Sequence, residues 1–253
     1  MQRKARKIRI DLQYDGTRYV GWQRQTNGLS VQEVLEESLE SLTGKRTRVE
    51  GSGRTDAGVH ALGQVAAFVT DSSIPPERFH LALNTRLPED IIVDRSREVP
   101  ADWDPRRDAI ERRYRYTIDR GETPLVTMRG YAWHFPRPLN EQAMTEAVGL
   151  FVGRHDFGGF RAADCDADHA VRTINESRLI WEERFLYFEI HGHAFLRNMV
   201  RIMMGTLVDI GMGRKGKEDL LACLETGDHE KAGPTAPAKG LCLTRVVYPE
   251  ESC

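Results

Sequence analysis

Two kinds of hydrophobic period alternate along this chain, and they do so twice. Ile8, Ile10, Leu12 and Tyr14 alternate with Lys7, Arg9, Asp11 and Gln13, the period of two expected of a half-buried strand. Ser30 and Glu33 form a capping-box signature ahead of a stripe of Val31, Val34, Leu35, Leu39 and Leu42, a helix stopped at Gly44. Strand-like residues follow from Thr47 to Glu50 and from Gln64 to Thr70. A shorter helix is expected from near Pro76 to before Pro88, then a strand from Ile91 to Asp94. The second half repeats the theme. Tyr114 to Ile118 reads as a strand, and Asn140 caps a stripe of Met144, Ala147, Val148 and Phe151. Leu186, Phe188 and Ile190 alternate with Tyr187 and Glu189. Leu196, Met199, Val200, Met203, Met204, Leu207 and Val208 give the cleanest helix, ended by Gly211 and Gly213, and a last strand runs from Leu241 to Tyr248. Such interleaving predicts an α+β fold of two halves, each an antiparallel sheet with helices on one face. The polar, proline-containing stretch from Val99 to Asp108 marks the junction, giving halves 1–104 and 105–253.

A chain of 253 residues has room to bury a core in each half. No apolar run approaches the roughly 20 residues that span a bilayer, and the basic start, Met1 to Arg9, leads into a strand pattern instead of an apolar signal core. Cys165, Cys223, Cys242 and Cys253 are scattered without a Cys-x-x-Cys pair. That usage suits a reducing cytoplasm and argues against a zinc ribbon or disulfide framework.

The formal net charge is only -2, yet the charges are segregated. Arg3, Lys4, Arg6, Lys7 and Arg9 form one basic cluster; Arg106, Arg107, Arg112, Arg113 and Arg115 a second; Arg214, Lys215 and Lys217 a third. Acidic residues gather elsewhere, as at Glu33, Glu36, Glu37 and Glu40, and at Glu250 with Glu251. This pattern is compatible with a basic cleft for nucleic acid, but clustering alone favours ordinary solvated faces.

Three places carry candidate chemistry. In Gly51-Ser-Gly-Arg-Thr-Asp-Ala-Gly-Val-His60, glycines allow close backbone approach to a ligand. Asp56, two residues from Arg54, offers a carboxylate that can be held ionised and aimed. A plain turn closed by Asp56 fits the same residues. In Arg112-Arg-Tyr-Arg-Tyr116, a strand would put Tyr114 and Tyr116 on one face and Arg113 and Arg115 on the other. Such a segment suits stacking on a base and neutralising phosphate, or simply packing in a core. Arg201 flanks the apolar stripe of the Leu196 to Val208 helix, where an arginine either snorkels or meets a buried carboxylate. His191 and His193 have no third ligand at a useful spacing, and His60 with Asp56 lacks an acidic cluster for a metal. No Walker loop or dinucleotide fingerprint is present.

Taken together, these segments resemble the tRNA pseudouridine synthase A family over nearly the whole chain. Tyr14-Asp-Gly-Thr-Arg-Tyr-Val-Gly-Trp-Gln-Arg-Gln25 looks like the family's opening strand and turn, and Gly53-Arg-Thr-Asp-Ala-Gly-Val-His60 like its catalytic loop. Arg112 to Tyr116, His155-Asp-Phe157 with Phe160, Arg172-Thr-Ile174, Phe195-Leu-Arg-Asn-Met-Val-Arg201 and Gly240-Leu-Cys-Leu243 follow in order. The resemblance implies two pseudo-symmetric ferredoxin- or RRM-like halves sharing an extended, mostly antiparallel sheet, with helices on one face and the active-site cleft between the halves. It implies that Asp56 is the catalytic nucleophile and that Arg54 takes the place of the displaced base. It further implies that Tyr114 packs on the uracil ring and that Arg201 pairs with the aspartate. A homodimer acting on uridines 38, 39 and 40 of the tRNA anticodon stem-loop, with no cofactor and no metal, follows from the same likeness. Two features depart from the pattern: Arg197 stands where an aromatic residue is often found, and Asp164-Cys-Asp-Ala-Asp168 is acidic near Arg172.

The implied chemistry suits the residues. Isomerisation breaks the bond from C1′ to N1, turns the uracil and joins C5 to C1′. An ionised carboxylate either traps the positive charge at C1′ or takes a proton from C2′. Reaching a base in a helical arm means extruding it, and an arginine filling the gap offsets part of the unstacking cost. A non-catalytic RNA-binding protein is the alternative, but it leaves the Arg54–Asp56 pair without a use. A metal-dependent hydrolase lacks ligands.

Overall fold

The computed structural model describes residues 4–162, 165 and 167–249. Arg3 of the first basic cluster, Asp164 and Asp166 of the acidic stretch, and Glu250, Glu251 and Cys253 lie outside the described residues. The chain forms two compact units. One comprises Met1–Ile110 together with Leu243–Cys253, and the other Glu111–Cys242. Each is mixed α and β with mainly antiparallel pairing, the class that the alternating periods lead one to expect.

The first unit is built on β1 (Arg6–Tyr14). Its apolar alternation buries Ile8, Ile10, Leu12 and Tyr14. The opposite side does not stay in water throughout. Arg9 is 3% exposed, its guanidinium 4.5 Å from the centre of the Tyr248 ring and 5.6 Å from that of Trp103, with Asp11 at 2.8 Å. A cation held over aromatic faces and a carboxylate is stable where a bare one would not be. Helix α1 (Val31–Thr43) follows, with the Ser30 Oγ accepting the Glu33 N–H at 3.2 Å and Gly44 ending it at φ +69°. Its Val31, Leu35 and Leu39 are buried, whereas Val34 and Leu42 are half-covered. The short strand β2 (Glu50–Gly51) leads by a loop into β3 (His60–Thr70). A single turn of 3₁₀ helix, Pro76–Arg78, tightens the entry to α2 (Phe79–Asn84), whose Phe79 meets Phe68 edge to face at 5.2 Å.

Strand β4 (Ile91–Val99) is longer than its apolar residues suggest. Ile91 and Val93 are buried, but the charged residues beyond Asp94 stay in strand because the backbone of β1 pairs with them through Lys7 opposite Val99. Both β3 and β4 run antiparallel to β1, with Ile10 opposite Ala66 and Ser96.

In the second unit, β5 (Glu111–Asp119) is followed by β6 (Trp133–His134), which pairs with it in parallel, and by α3 (Glu141–Val148). Strands β7 (Gly153–Asp156), β8 (Val171–Trp181) and β9 (Phe185–Gly192) complete a sheet in the order β5–β9–β8–β7. Helices α4 (Met199–Gly211) and α5 (Lys217–Thr226) come next. The helix expected from Leu196 starts later, because Asn198 takes a left-handed φ of 60° and turns the chain just before Met199. From there every residue but Arg201 is buried through Gly211, so α4 is covered all round and not along one stripe. At Gly205 a Cβ would lie 1.7 Å from the carbonyl oxygen of Pro234, so the helix accepts a second chain segment directly against its backbone. The final strand, β10 (Leu241–Val247), begins in this unit, and from Leu243 onward its residues belong to the first.

Candidate active site

The loop joining β2 to β3 is fixed residue by residue. Ser52 donates from its N–H to the Val65 carbonyl at 2.8 Å and from its Oγ to Gln64 Oε1 at 2.7 Å. Gln64, fully buried within β3, returns a bond from Nε2 to the Gly53 carbonyl at 3.1 Å. Thr55 shares a hydrogen bond with the Tyr14 hydroxyl at 2.8 Å, and its carbonyl accepts the Trp22 N–H at 3.1 Å. The Asp56 carbonyl accepts the Val59 N–H at 3.1 Å, closing a turn. Gly58, at φ +76°, donates to the Tyr19 carbonyl at 3.2 Å, and the buried His60 ring accepts the Gly16 N–H at 3.1 Å through Nδ1.

The consequence is a carboxylate on a rigid base. The backbone on both sides of Asp56 is tied to the segment Tyr14–Trp22, while the Asp56 side chain is half-buried and Arg54 is exposed. Two glycines make the contact possible. A Cβ at Gly16 would sit 2.0 Å from the Val59 carbonyl oxygen, and Gly21, at φ +110°, presses against Thr55. Buried donors and acceptors here are satisfied by one another, which favours one loop geometry over many. Sequence reading missed these supports. The one visible cue was Gln64, a polar residue inside an otherwise apolar strand pattern.

The other two candidate residues lie in the second unit. Tyr114 on β5 is 9% exposed and meets Phe195 edge to face at 5.0 Å. Tyr116, on the same face, is fully buried and donates to the Pro237 carbonyl at 2.7 Å; burial pushes its phenol well above the usual range. Arg201 is half-buried in the first turn of α4. Its Nε donates to the Ala236 carbonyl and its Nη1 to Asn198 Oδ1, both at 2.8 Å. These bonds orient the guanidinium, which a merely snorkelling arginine would not need. Thus Arg54 and Asp56 share one loop of the first unit, and Tyr114 and Arg201 are separately braced in the second.

Among the described residues, several members of the three basic clusters are engaged by partners within the protein. Arg6 donates to the carbonyls of Ser72 and Ile74, and Arg9 is enclosed as described. Arg112 is 7% exposed and donates to the His193 carbonyl at 2.6 Å, so it is a structural residue and no free phosphate ligand. Arg113 pairs with Glu111 at 2.7 Å. Arg115 and Arg178 both grip Glu189; although burial opposes it, their bonds hold that carboxyl below its ordinary range. In the third cluster, Arg214 meets Asp209 at 3.3 Å. Arg197, where an aromatic residue was expected, is exposed and its carbonyl accepts the Ala162 N–H at 3.1 Å.

A family model described as tRNA pseudouridine synthase matches residues 12–108 and 147–249. The chain belongs to the tRNA pseudouridine synthase family. Within the family it is 47% identical to the tRNA pseudouridine synthase A of Geobacter sp. (strain M21), over 97% of this chain and 100% of that one. Identity to the namesake protein of Citrifermentans bemidjiense is 46%, over 97% and 99%, and to that of Acetivibrio thermocellus 42%, over 96% and 100%. The matched segments of the family model contain Arg54, Asp56 and Arg201, while Tyr114 falls in the interval between them. Among solved structures, a Cbf5–Nop10–Gar1 complex aligns with 93% of this chain and 48% of that chain at 12% identity and a TM-score of 0.38, too low to carry an argument.

Proposed function

We propose that this member of the family isomerises uridine to pseudouridine in tRNA, at positions 38, 39 and 40 of the anticodon stem-loop. Asp56 acts as nucleophile, Arg54, Tyr114 and Arg201 bind the substrate, and no metal or organic cofactor takes part. The observation that supports this most is the loop itself: a half-buried carboxylate whose neighbouring residues are bonded through side chains to Tyr14 and Gly16 and through peptides to Tyr19 and Trp22. A group that must meet a developing charge at one carbon gains rate from being held in place beforehand.

In this reading the C1′–N1 bond breaks with its electrons leaving on the uracil. The Asp56 carboxylate attacks C1′, the uracil turns, and C5 bonds to C1′ as the carboxylate departs. The proton on C5 is lost and N1 gains one, so the product is an isomer and no redox partner is needed. Tyr114 offers an aromatic face to the freed base, which must not escape. The same reading places the protein in the cytoplasm and makes it a homodimer, the second of which sedimentation of the purified chain tests.

The deciding experiment supplies tRNA tritiated at uridine C5. Release of tritium with the RNA intact is the expected result. No release would leave only binding, and a shortened or base-stripped RNA would mean hydrolysis.

A further inference from the structure

Asp90 belongs to none of the motifs discussed above, yet it anchors the turn on which the Asp56 loop rests. It lies just before β4, its side chain 13% exposed. Its carboxylate accepts the Tyr19 hydroxyl at 2.7 Å and the Arg18 Nε at 2.6 Å, and its backbone carbonyl accepts the Asp15 N–H at 3.0 Å. Three residues of one short turn therefore converge on a single aspartate. Burial raises the Asp90 carboxyl, but the bonds from Arg18 and Tyr19 outweigh it and hold the group below its ordinary range.

The other side of the turn faces the loop. The Tyr19 carbonyl holds the Gly58 N–H, the Tyr19 N–H bonds back to the Gly16 carbonyl at 3.0 Å, and the Gly16 N–H holds the His60 ring. Gly58 and His60 bracket the residue on the C-terminal side of Asp56's turn. Tyr19 is 3% exposed, so its hydroxyl has little water to replace Asp90. Arg18, by contrast, is 64% exposed and adds little beyond charge.

We propose that Asp90 is a positioning residue for the reaction, setting the place of Asp56 through the Tyr19 side chain and the turn from Asp15 to Tyr19. The role rests on the reading of Asp56 as the nucleophile. A displaced carboxylate loses the transition state far more than it loses the bound tRNA. Asp90→Asn keeps the shape of the side chain and removes its charge. Its kcat falls about 10- to 100-fold, with KM for tRNA within about threefold of wild type. Tyr19→Phe, which lacks a single hydroxyl, gives a comparable loss and carries the same test should Asp90→Asn fold poorly. Because both act through one bond, the double variant is no slower than the worse single one.

A wild-type kcat in Tyr19→Phe and Asp90→Asn, or losses that multiply in the double variant, overturns the positioning role. Measuring Asp56→Asn alongside separates the two readings. If Asp56→Asn is inactive while Asp90→Asn is fully active, only the positioning role falls. If Asp56→Asn itself turns over, the nucleophile assignment falls and the positioning role with it.

Discussion

Gly21 stands at φ +110° with the site of its absent Cβ 2.5 Å from the carbonyl oxygen of Thr55. The residue before Asp56 is thus pressed against a backbone position that only glycine can occupy. Replacing it forces the turn or the Asp56 loop to move. Gly21→Ala is expected to lower stability by about 1–3 kcal/mol and to reduce the turnover of the folded fraction. Gly44, at φ +69° with nothing within 4 Å, supplies the comparison. Gly44→Ala costs about 1 kcal/mol and leaves turnover unchanged. Equal effects on turnover would show that the Gly21 contact does not serve the loop.

Asp56→Asn keeps the size of the side chain and most of its hydrogen bonding while removing its charge. Under the proposed role of nucleophile, Asp56 contributes chiefly to the transition state, so the variant is expected to bind tRNA within about tenfold of wild type, roughly 1.4 kcal/mol, and to release no tritium from uridine C5. Asp94→Asn is the control. That carboxylate accepts a surface bond from Gln13 at 2.8 Å, and the variant stays active. Turnover near wild type in folded Asp56→Asn would refute the assignment.

Asp119 predicts the response to acid. It is 2% exposed and accepts bonds from the Arg184 Nε and Nη2 at 2.8 and 3.0 Å and from the N–H groups of Gly121 and Leu125, both at 3.1 Å. Burial raises its carboxyl, but these bonds, Arg184 first, hold it below the ordinary range. A depressed carboxyl stabilises the fold above its unfolded pKa, about 3.9, and that contribution is lost as pH falls through the folded value. Urea midpoints should therefore drop below about pH 4. Arg184→Gln should lose about 2–3 kcal/mol at pH 7 and lose less on further acidification than wild type does. Parallel acid profiles for the two proteins would contradict this.

Affinity for tRNA should fall steeply with salt, since phosphate contacts release counterions. The arginines expected from their clustering to make those contacts are mostly engaged internally. Arg46 and Arg48 are exposed and, among the described residues, have no ion pair; they line two adjoining concavities of about 270 and 480 Å³ with Lys7 and Arg24. Arg46→Gln and Arg48→Gln should each reduce the slope of log affinity against log salt by about one, with kcat intact. An unchanged slope in the double variant would remove this surface from the RNA contact.

Local signals carried much of this protein. Period-two runs at Ile8–Tyr14 and Leu186–Ile190 and the Ser30 cap with its Gly44 stop were read from a few neighbouring residues, and the structure has the corresponding strands and helix. Strand β8 is not legible in this way. Val171–Trp181 mixes charged and apolar residues too evenly for a clear period, and its strand state comes from pairing with β9 on one side and β7 on the other. Likewise the loop around Asp56 announced itself through its glycines, while its supports Tyr14 and Asp90 came from distant parts of the chain.

The sequence by itself determined the α+β class, the glycine-bracketed loop with Arg54 and Asp56, and the likeness that led to the family. Each depends on the order of residues along a short stretch. Only the tertiary structure decided which charges face water. Arg9 and Arg112 look in the sequence like members of solvated basic runs, yet one lies against Tyr248 and Trp103 and the other bonds the His193 carbonyl. It also decided that the chain from Leu243 onward joins the first unit, although it follows the second in sequence. The physical reason is common to all three. A side chain's solvation and a strand's partner are set by what packs over them, and those groups lie tens of residues or more away along the chain, beyond the reach of any local period.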